Sequence, residues 1–126
     1  MKLLSDPVLL RNAAKSVDAL GRRPDARTEG VTAGSAPATW IDVKGADKDR
    51  VVLYLHGGAF VAETPLLHGA LLARICAEAH ARCLMLSYRL SPEHRYPAAL
   101  DVCPDRHLAY RESKACRGCR KDRVLL

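Results

Sequence analysis

The sequence predicts an α/β fold built on a mostly parallel sheet, and three observations predict it. Residues 51–55 and 83–88 are apolar stretches without polar alternation, as in strands buried on both faces of a parallel sheet. Pro65 opens a helical pattern between them. The first of these strands breaks off into His56-Gly57-Gly58, a run in which bare backbone is exposed. Strand, loop, helix and strand make a βαβ unit, whose crossover is expected to be right-handed.

The elements follow in order. Asp6-Pro7 reads as a helix start, with Asp as N-cap and Pro at the first helical position. Leu9, Ala13, Val17 and Leu20 then recur at helical spacing, and Gly21 fits the stop. Residues 21–38 are rich in Gly, Pro, Arg and small side chains and read as a linker or loop. Residues 40–43 suit a short strand, and residues 45–50 a charged turn before the strand at 51–55. In the helix opened by Pro65, the expected apolar stripe is Leu67, Leu71, Ile75 and Ala79. Arg74, Glu78 and Arg82 are expected on its other side. Residues 89–96 form a polar loop, and Pro97-Ala98-Ala99-Leu100 starts another helix. Beyond Asp101 the pattern weakens. Leu108 to Cys116 has only weak helical periodicity, and Val124-Leu125-Leu126 suits the beginning of a strand.

At 126 residues the chain holds at most one ordinary domain. Its division is expected at residue 38, with a helix and linker before it and an α/β unit over 39–126, of which 102–126 is divergent. The net charge of +6 is not gathered into one block, and aromatics are 5% of residues, too few for a base-stacking platform. Nucleic acid is therefore not an expected partner. Asp6, Arg11 and Lys15 interrupt any signal-peptide core, and no apolar run is long enough to span a bilayer, so a cytoplasmic protein is expected. Five cysteines, an odd number without secretory context, read as reduced thiols. Cys103, His107, Cys116 and Cys119 contain one Cys-x2-Cys, a possible zinc-binding tail, but the other half lacks a standard spacing. No metal or cofactor is expected. The basic residues of the tail are partly offset by acids and read as a solvated face.

The chemistry concentrates at residues 56–59. A carbonyl under nucleophilic attack develops negative charge on its oxygen, and fixed backbone N–H groups stabilise that charge without reorganising. Backbone can approach a substrate closely only where side chains are small. Gly57, Gly58 and Ala59 meet that condition, and the candidate donors are the N–H groups of Gly58 and Ala59. His56 is expected to hold the loop's shape rather than act as a base. The same residues also fit an ordinary turn whose glycines take positive φ.

A second motif bears on that choice. Residues 51–60, the helix after them, and Tyr88-Arg89-Leu90-Ser91-Pro92-Glu93-His94-Arg95-Tyr96-Pro97-Ala98-Ala99-Leu100 together resemble the bacterial hormone-sensitive-lipase-like esterases of the α/β-hydrolase fold. That family carries His-Gly-Gly-Gly, then Tyr-Arg-Leu-Ala-Pro-Glu, then a Pro-Ala-Ala-Leu helix start. Here Ala59 replaces the fourth residue of the first motif, Ser91 replaces the Ala of the second, and Ser87 stands where the family often has Asp. The resemblance covers roughly residues 40–101, and the first helix is a weaker match to the family's N-terminal cap.

The resemblance implies a partial α/β-hydrolase fold, a small ester substrate, and an oxyanion hole at Gly58 and Ala59 supported by His56 and Gly57. The family's nucleophile is a Ser in Gly-Asp-Ser-Ala-Gly, followed by an Asp and a His. None of Ser5, Ser16, Ser35, Ser87, Ser91 and Ser113 lies in such a turn, and no Asp or His matches the late positions. The expectation is an N-terminal fragment of a serine carboxylester hydrolase, with no catalytic residues and inactive alone. The alternatives are a non-catalytic binding or interaction module, or half of a two-chain hydrolase completed by a second polypeptide. For residues 102–126 two readings stand: out-of-frame text, or a divergent in-register helix leading to the strand before the nucleophile.

Overall fold

The computed structural model describes residues 6–21, 25–101 and 124–125. Its elements are α1 (Pro7–Asp18), β1 (Arg27–Ala33), β2 (Ala36–Asp42), β3 (Asp47–Leu55), α2 (Pro65–Ala79), β4 (Ala81–Leu86), α3 (Ala98–Asp101) and β5 (Val124–Leu125). The strands form one sheet in the order β1-β2-β4-β3-β5. The β1/β2 and β2/β4 pairs are antiparallel, and the β4/β3 and β3/β5 pairs are parallel. The tail helix expected at 108–116 and the cluster Cys103, His107, Cys116 and Cys119 lie outside the described residues.

β4 is the centre. All six of its residues are buried. The strand expected over 83–88 starts earlier, taking in Ala81 and Arg82, and ends at Leu86. Its side chains alternate between two cores. Leu84 and Leu86 join Ala33, Ala38, Trp40 and Val51 on one face. Cys83 and Met85 join Ile41 and the α2 residues Leu72, Ala73 and Cys76 on the other. The Cys76 and Cys83 thiols are free and buried there, and the Cys83 thiol is pushed up, first by its hydrogen bond with Cys76 and then by burial.

Several expectations are corrected. The linker expected over 21–38 contains β1 and the start of β2, so the boundary at residue 38 falls inside a strand. Gly34, at φ 63°, opens the turn of this hairpin, and Ala33, Ala36 and Ala38 are buried. Small residues there are packing residues, which composition alone reads as looseness. The charged turn is likewise shorter than expected. Asp47 already pairs with Ala81, and the register shifts between Asp47 and Val51 to absorb the polar residues. Residues 51–55 are not buried on both faces: Val51 is, whereas Leu55 is 39% exposed. Among the described residues the outer edge of β3 is paired only at Val51 and Val52.

Both helices present a different face from the one the periodicity favoured. In α2 the sheet-facing residues are Gly69, Leu72, Ala73 and Cys76, while Leu67, Leu71 and Ile75 are exposed. The helix is apolar nearly all round, so spacing could not select the face. Small residues at 69 and 73 let it lie close to the sheet. In α1, Leu9, Val17 and Leu20 are exposed, and the half-buried positions include Leu10, Arg11, Ala14 and Asp18. Arg82 belongs to β4 rather than to α2. It is buried, bonded to Asp42 at 2.8 Å, and lies 3.8 Å over the Trp40 ring, so its charge is paired and its flat head stacked.

The α1 N-terminus forms as expected. Asp6 Oδ1 accepts from the N–H groups of Val8 and Leu9. The start of α2 is capped differently. Thr64, at its N-cap position, makes no side-chain cap bond. Asp18 of α1 supplies the cap instead, its Oδ1 accepting from Leu66 N at 2.8 Å and Leu67 N at 3.0 Å. Gly21 makes room for this junction, since a Cβ there would sit 3.0 Å from Leu67 N. An acidic cap also suits the positive end of the helix dipole. Asp18→Ala should therefore lower stability by about 1 kcal/mol in a urea titration. Asp18→Asn, which keeps an acceptor, should lose less. Equal losses in the two variants would show that the cap bonds do not matter.

Candidate functional site

β3 and β4 lie parallel in register, with Leu55 opposite Leu86, so the segments after them emerge at the same end of the sheet. One carries His56-Gly57-Gly58-Ala59, the other Ser87-Tyr88. The Tyr88 hydroxyl donates to His56 O at 2.6 Å, and the two rings stack with centroids 4.2 Å apart and 4° between planes. A hydrogen bond of this kind contributes about 1 kcal/mol net, and an aromatic pair adds roughly as much again. His56 is 3% exposed. Its Nδ1 is 2.8 Å from Gly57 O, and a carbonyl can only accept, so Nδ1 carries the hydrogen. His68 of α2 stacks against the other side of His56 at 6.2 Å, and burial, then the neighbouring His56, lowers its pKa.

Beyond the histidine the chain winds tightly. Gly58 has φ 132°, and Ala59 and Phe60 take φ 54° and 59°. Gly58 O then accepts from both Val61 N and Ala62 N at 3.0 Å. A Cβ on Gly58 would stand 2.0 Å from Ala62 O, so only glycine fits. Two successive non-glycine residues in the left-handed region are costly, at roughly 1–2 kcal/mol each, and must be held by their surroundings. The holding contacts include Ser91 N, which donates to Phe60 O at 2.8 Å.

The candidate residues are placed as follows. His56 is buried beneath the loop, while Gly57, Gly58 and Ala59 are exposed. Among the described residues the N–H groups of Gly58 and Ala59 donate no hydrogen bond. Ala59, but not Gly58, lines an open cavity of about 390 Å³, together with Phe60, Val61, Tyr96, Pro97 and Leu100, among others. No group of three or more His, Cys, Asp or Glu side chains suited to a metal occurs among the described residues.

Four contacts to this site are not legible in local sequence. Ser87 Oγ donates to Glu63 Oε1 at 2.7 Å. The Arg11 guanidinium grips Glu93, with Nη1 and Nη2 each 2.6 Å from a carboxylate oxygen. Arg11 also donates to Val61 O and Ser91 O. Its partners lie up to 82 residues away, beyond any motif's reach, although Glu93 is part of the quoted second motif.

A family profile described as alpha/beta hydrolase fold matches residues 52–126. The chain belongs to the α/β-hydrolase family. Carboxylesterase/phospholipase LipF of Mycobacterium tuberculosis is 42% identical over 85 residues, 67% of this chain and 22% of that protein. An acetyl-hydrolase of Streptomyces hygroscopicus is 39% identical over 96 residues, 76% of this chain and 30% of its own length. Among solved structures, an esterase from the bacterial hormone-sensitive lipase family superposes with a TM-score of 0.81 at 29% identity, covering 94% of this chain and 39% of that one. This α/β-hydrolase chain is thus similar to esterases and lipases over part of their fold, and spans between about a fifth and two fifths of these relatives. The profile match runs through residues 102–126, and β5 pairs in parallel with β3. Among the described residues no helix is long and apolar enough to cross a membrane.

Two outcomes test the site's geometry. Gly58→Ala should cost about 2 kcal/mol or more in chemical unfolding, because strain and a backbone clash combine. Ala59→Gly, relieving a left-handed alanine, should be neutral or slightly stabilising. Equal tolerance at both positions would contradict the backbone described. The second outcome concerns acid. Arg11 holds the Glu93 carboxyl down to about 2, first by its hydrogen bonds. A carboxylate lowered in the folded state contributes above its ordinary range and is lost only as pH falls through the folded value. The Glu93 carboxyl carbon resonance should therefore titrate with a midpoint below the ordinary carboxylate value of about 4.3. A midpoint at or above that value would show that Arg11 does not hold the carboxylate in solution.

Proposed function

We propose that this chain carries the oxyanion-stabilising loop of a serine carboxylester hydrolase and is inactive by itself. The observation that carries the reading is the pair of N–H groups at Gly58 and Ala59 that donate no hydrogen bond among the described residues, on exposed residues of which Ala59 lines a largely apolar cavity. In an ester hydrolase, such donors take up charge on the carbonyl oxygen as the tetrahedral intermediate forms, and losing one donor costs roughly 3 kcal/mol of barrier. The cavity next to Ala59 would receive an apolar part of a small ester. His56 positions the loop and is no base, since its ring is buried and its Nδ1 is committed to Gly57 O.

The inactive state rests on what the serines do. The hydroxyls of Ser16, Ser87 and Ser91 donate to Asn12 O, Glu63 and His94 O, and none of these three is bonded to a histidine ring. No serine of the 126 stands in Gly-x-Ser-x-Gly. Removing the nucleophile from a catalytic unit removes nearly all its chemistry. A second reading is half of a two-chain hydrolase, completed by a second polypeptide.

Hydrolysis of an activated short-chain ester tests both readings. The purified chain alone should show no turnover above background. Enzymatic turnover by the lone chain that disappears on changing His56-Gly57-Gly58 would sink the inactive reading. On the two-chain reading, a second polypeptide bearing Gly-Asp-Ser-Ala-Gly and the later Asp and His should bring turnover when mixed in. Gly58→Ala should then cut it about a hundredfold.

A further inference from the structure

We propose that Arg11 of α1 is a positioning residue for the loop at 58–62, holding it at one height above the sheet by gripping two backbone carbonyls at once. Four contacts carry this. Arg11 Nε donates to Val61 O at 2.9 Å, and Nη2 donates to Ser91 O at 2.6 Å. Nη1 and Nη2 also meet the two Glu93 oxygens. The guanidinium is planar and has five donors in a fixed fork, so one side chain can serve three acceptors in one geometry.

The contacts close a circuit. Val61 N is bonded to Gly58 O, and Val61 O is held by Arg11. Arg11 in turn holds Ser91 O, and Ser91 N is bonded to Phe60 O. Residues 58 and 61 are therefore tied through Arg11, and Phe60 directly through Ser91 N, to the segment after β4. The left-handed backbone at Ala59 and Phe60 is inside that circuit, which is what over-determines it.

Within the circuit the carbonyl bonds matter more than the ion pair. The Glu93 side chain is 55% exposed, and a pair so open to water is screened and contributes little. The bonds to Val61 O and Ser91 O are part-buried and made by a charged donor, which is the stronger class. Glu93 orients the fork; the carbonyls fix the loop. The purpose of the fixed donors rests on the reading given under Proposed function, but the positioning itself does not.

Amide hydrogen exchange on the full 126-residue chain tests it. In Arg11→Met the amides of Val61, Ala62 and Ser91 should exchange about tenfold faster or more, with Leu84 and Leu86 in β4 unchanged. The amide resonances of Gly58 and Ala59 should shift in the same variant. Arg11→Lys, which keeps a charge but cannot span both carbonyls, should behave like Arg11→Met at Val61 and Ala62, and it decides the matter if the Met variant does not fold. Glu93→Gln should leave Val61 and Ala62 nearly as protected as before. Unchanged exchange in the Arg11 variants, or acceleration shared equally by β4, would overturn the proposal. No arm depends on ester turnover, so failure here and failure of the hydrolase reading are separate results.

Discussion

The parallel register of β3 and β4 is the constraint from which the rest of the site follows. A parallel pair delivers both chains to the same end of the sheet, and here Leu55 faces Leu86. His56 and Tyr88 are then neighbours without any further instruction, and a stacked, hydrogen-bonded pair locks the ends together. The segments immediately beyond that lock, before α2 and before α3, are loop. The burial of β4 along its whole length keeps the register from slipping, because a shift by one residue would turn Cys83 and Met85 toward the core that Leu84 and Leu86 occupy.

Sequence text carried this central unit well and its surroundings poorly, for physical reasons. β4 was legible over Cys83–Leu86 because a stretch buried on both faces is apolar there; Arg82 enters the same strand only as a paired charge. The His56-Gly57-Gly58 turn was legible because Gly58 has no alternative with Ala62 O so close. The β1/β2 hairpin was not, since Thr, Gly and Ala in a strand look like linker until their partners are known. The face of α2 was misjudged because the helix is apolar nearly all round and small residues, Gly69 and Ala73, join Leu72 and Cys76 where it touches the sheet. Arg11 and Asp18 read as solvated charges on a surface helix. Their partners, 48 to 82 residues away, carry no local signature.

The site is a case of backbone chemistry. Its candidate donors are main-chain groups, so no side-chain inventory reveals them. What the sequence encodes instead is permission: residues small enough to allow approach and a conformation strained enough to need support. That support comes from buried aromatics below and hydrogen-bonded segments beside the loop. This division explains how Ala59 can stand in a glycine position, since its N–H is retained and its φ is enforced by neighbours.

α1 contributes Asp18 to the start of α2 and Arg11 to the segments after β3 and β4. The helix is thus seated by the same atoms that it restrains. Linkage then couples two events that seem unrelated. An occupant that binds better to the restrained loop than to a loosened one must, by mass action, tighten the seating of α1. Conversely, anything that frees α1 must weaken that occupant by the same factor. Docking of the first helix and occupancy of the loop share one equilibrium, and a probe on either reports on both.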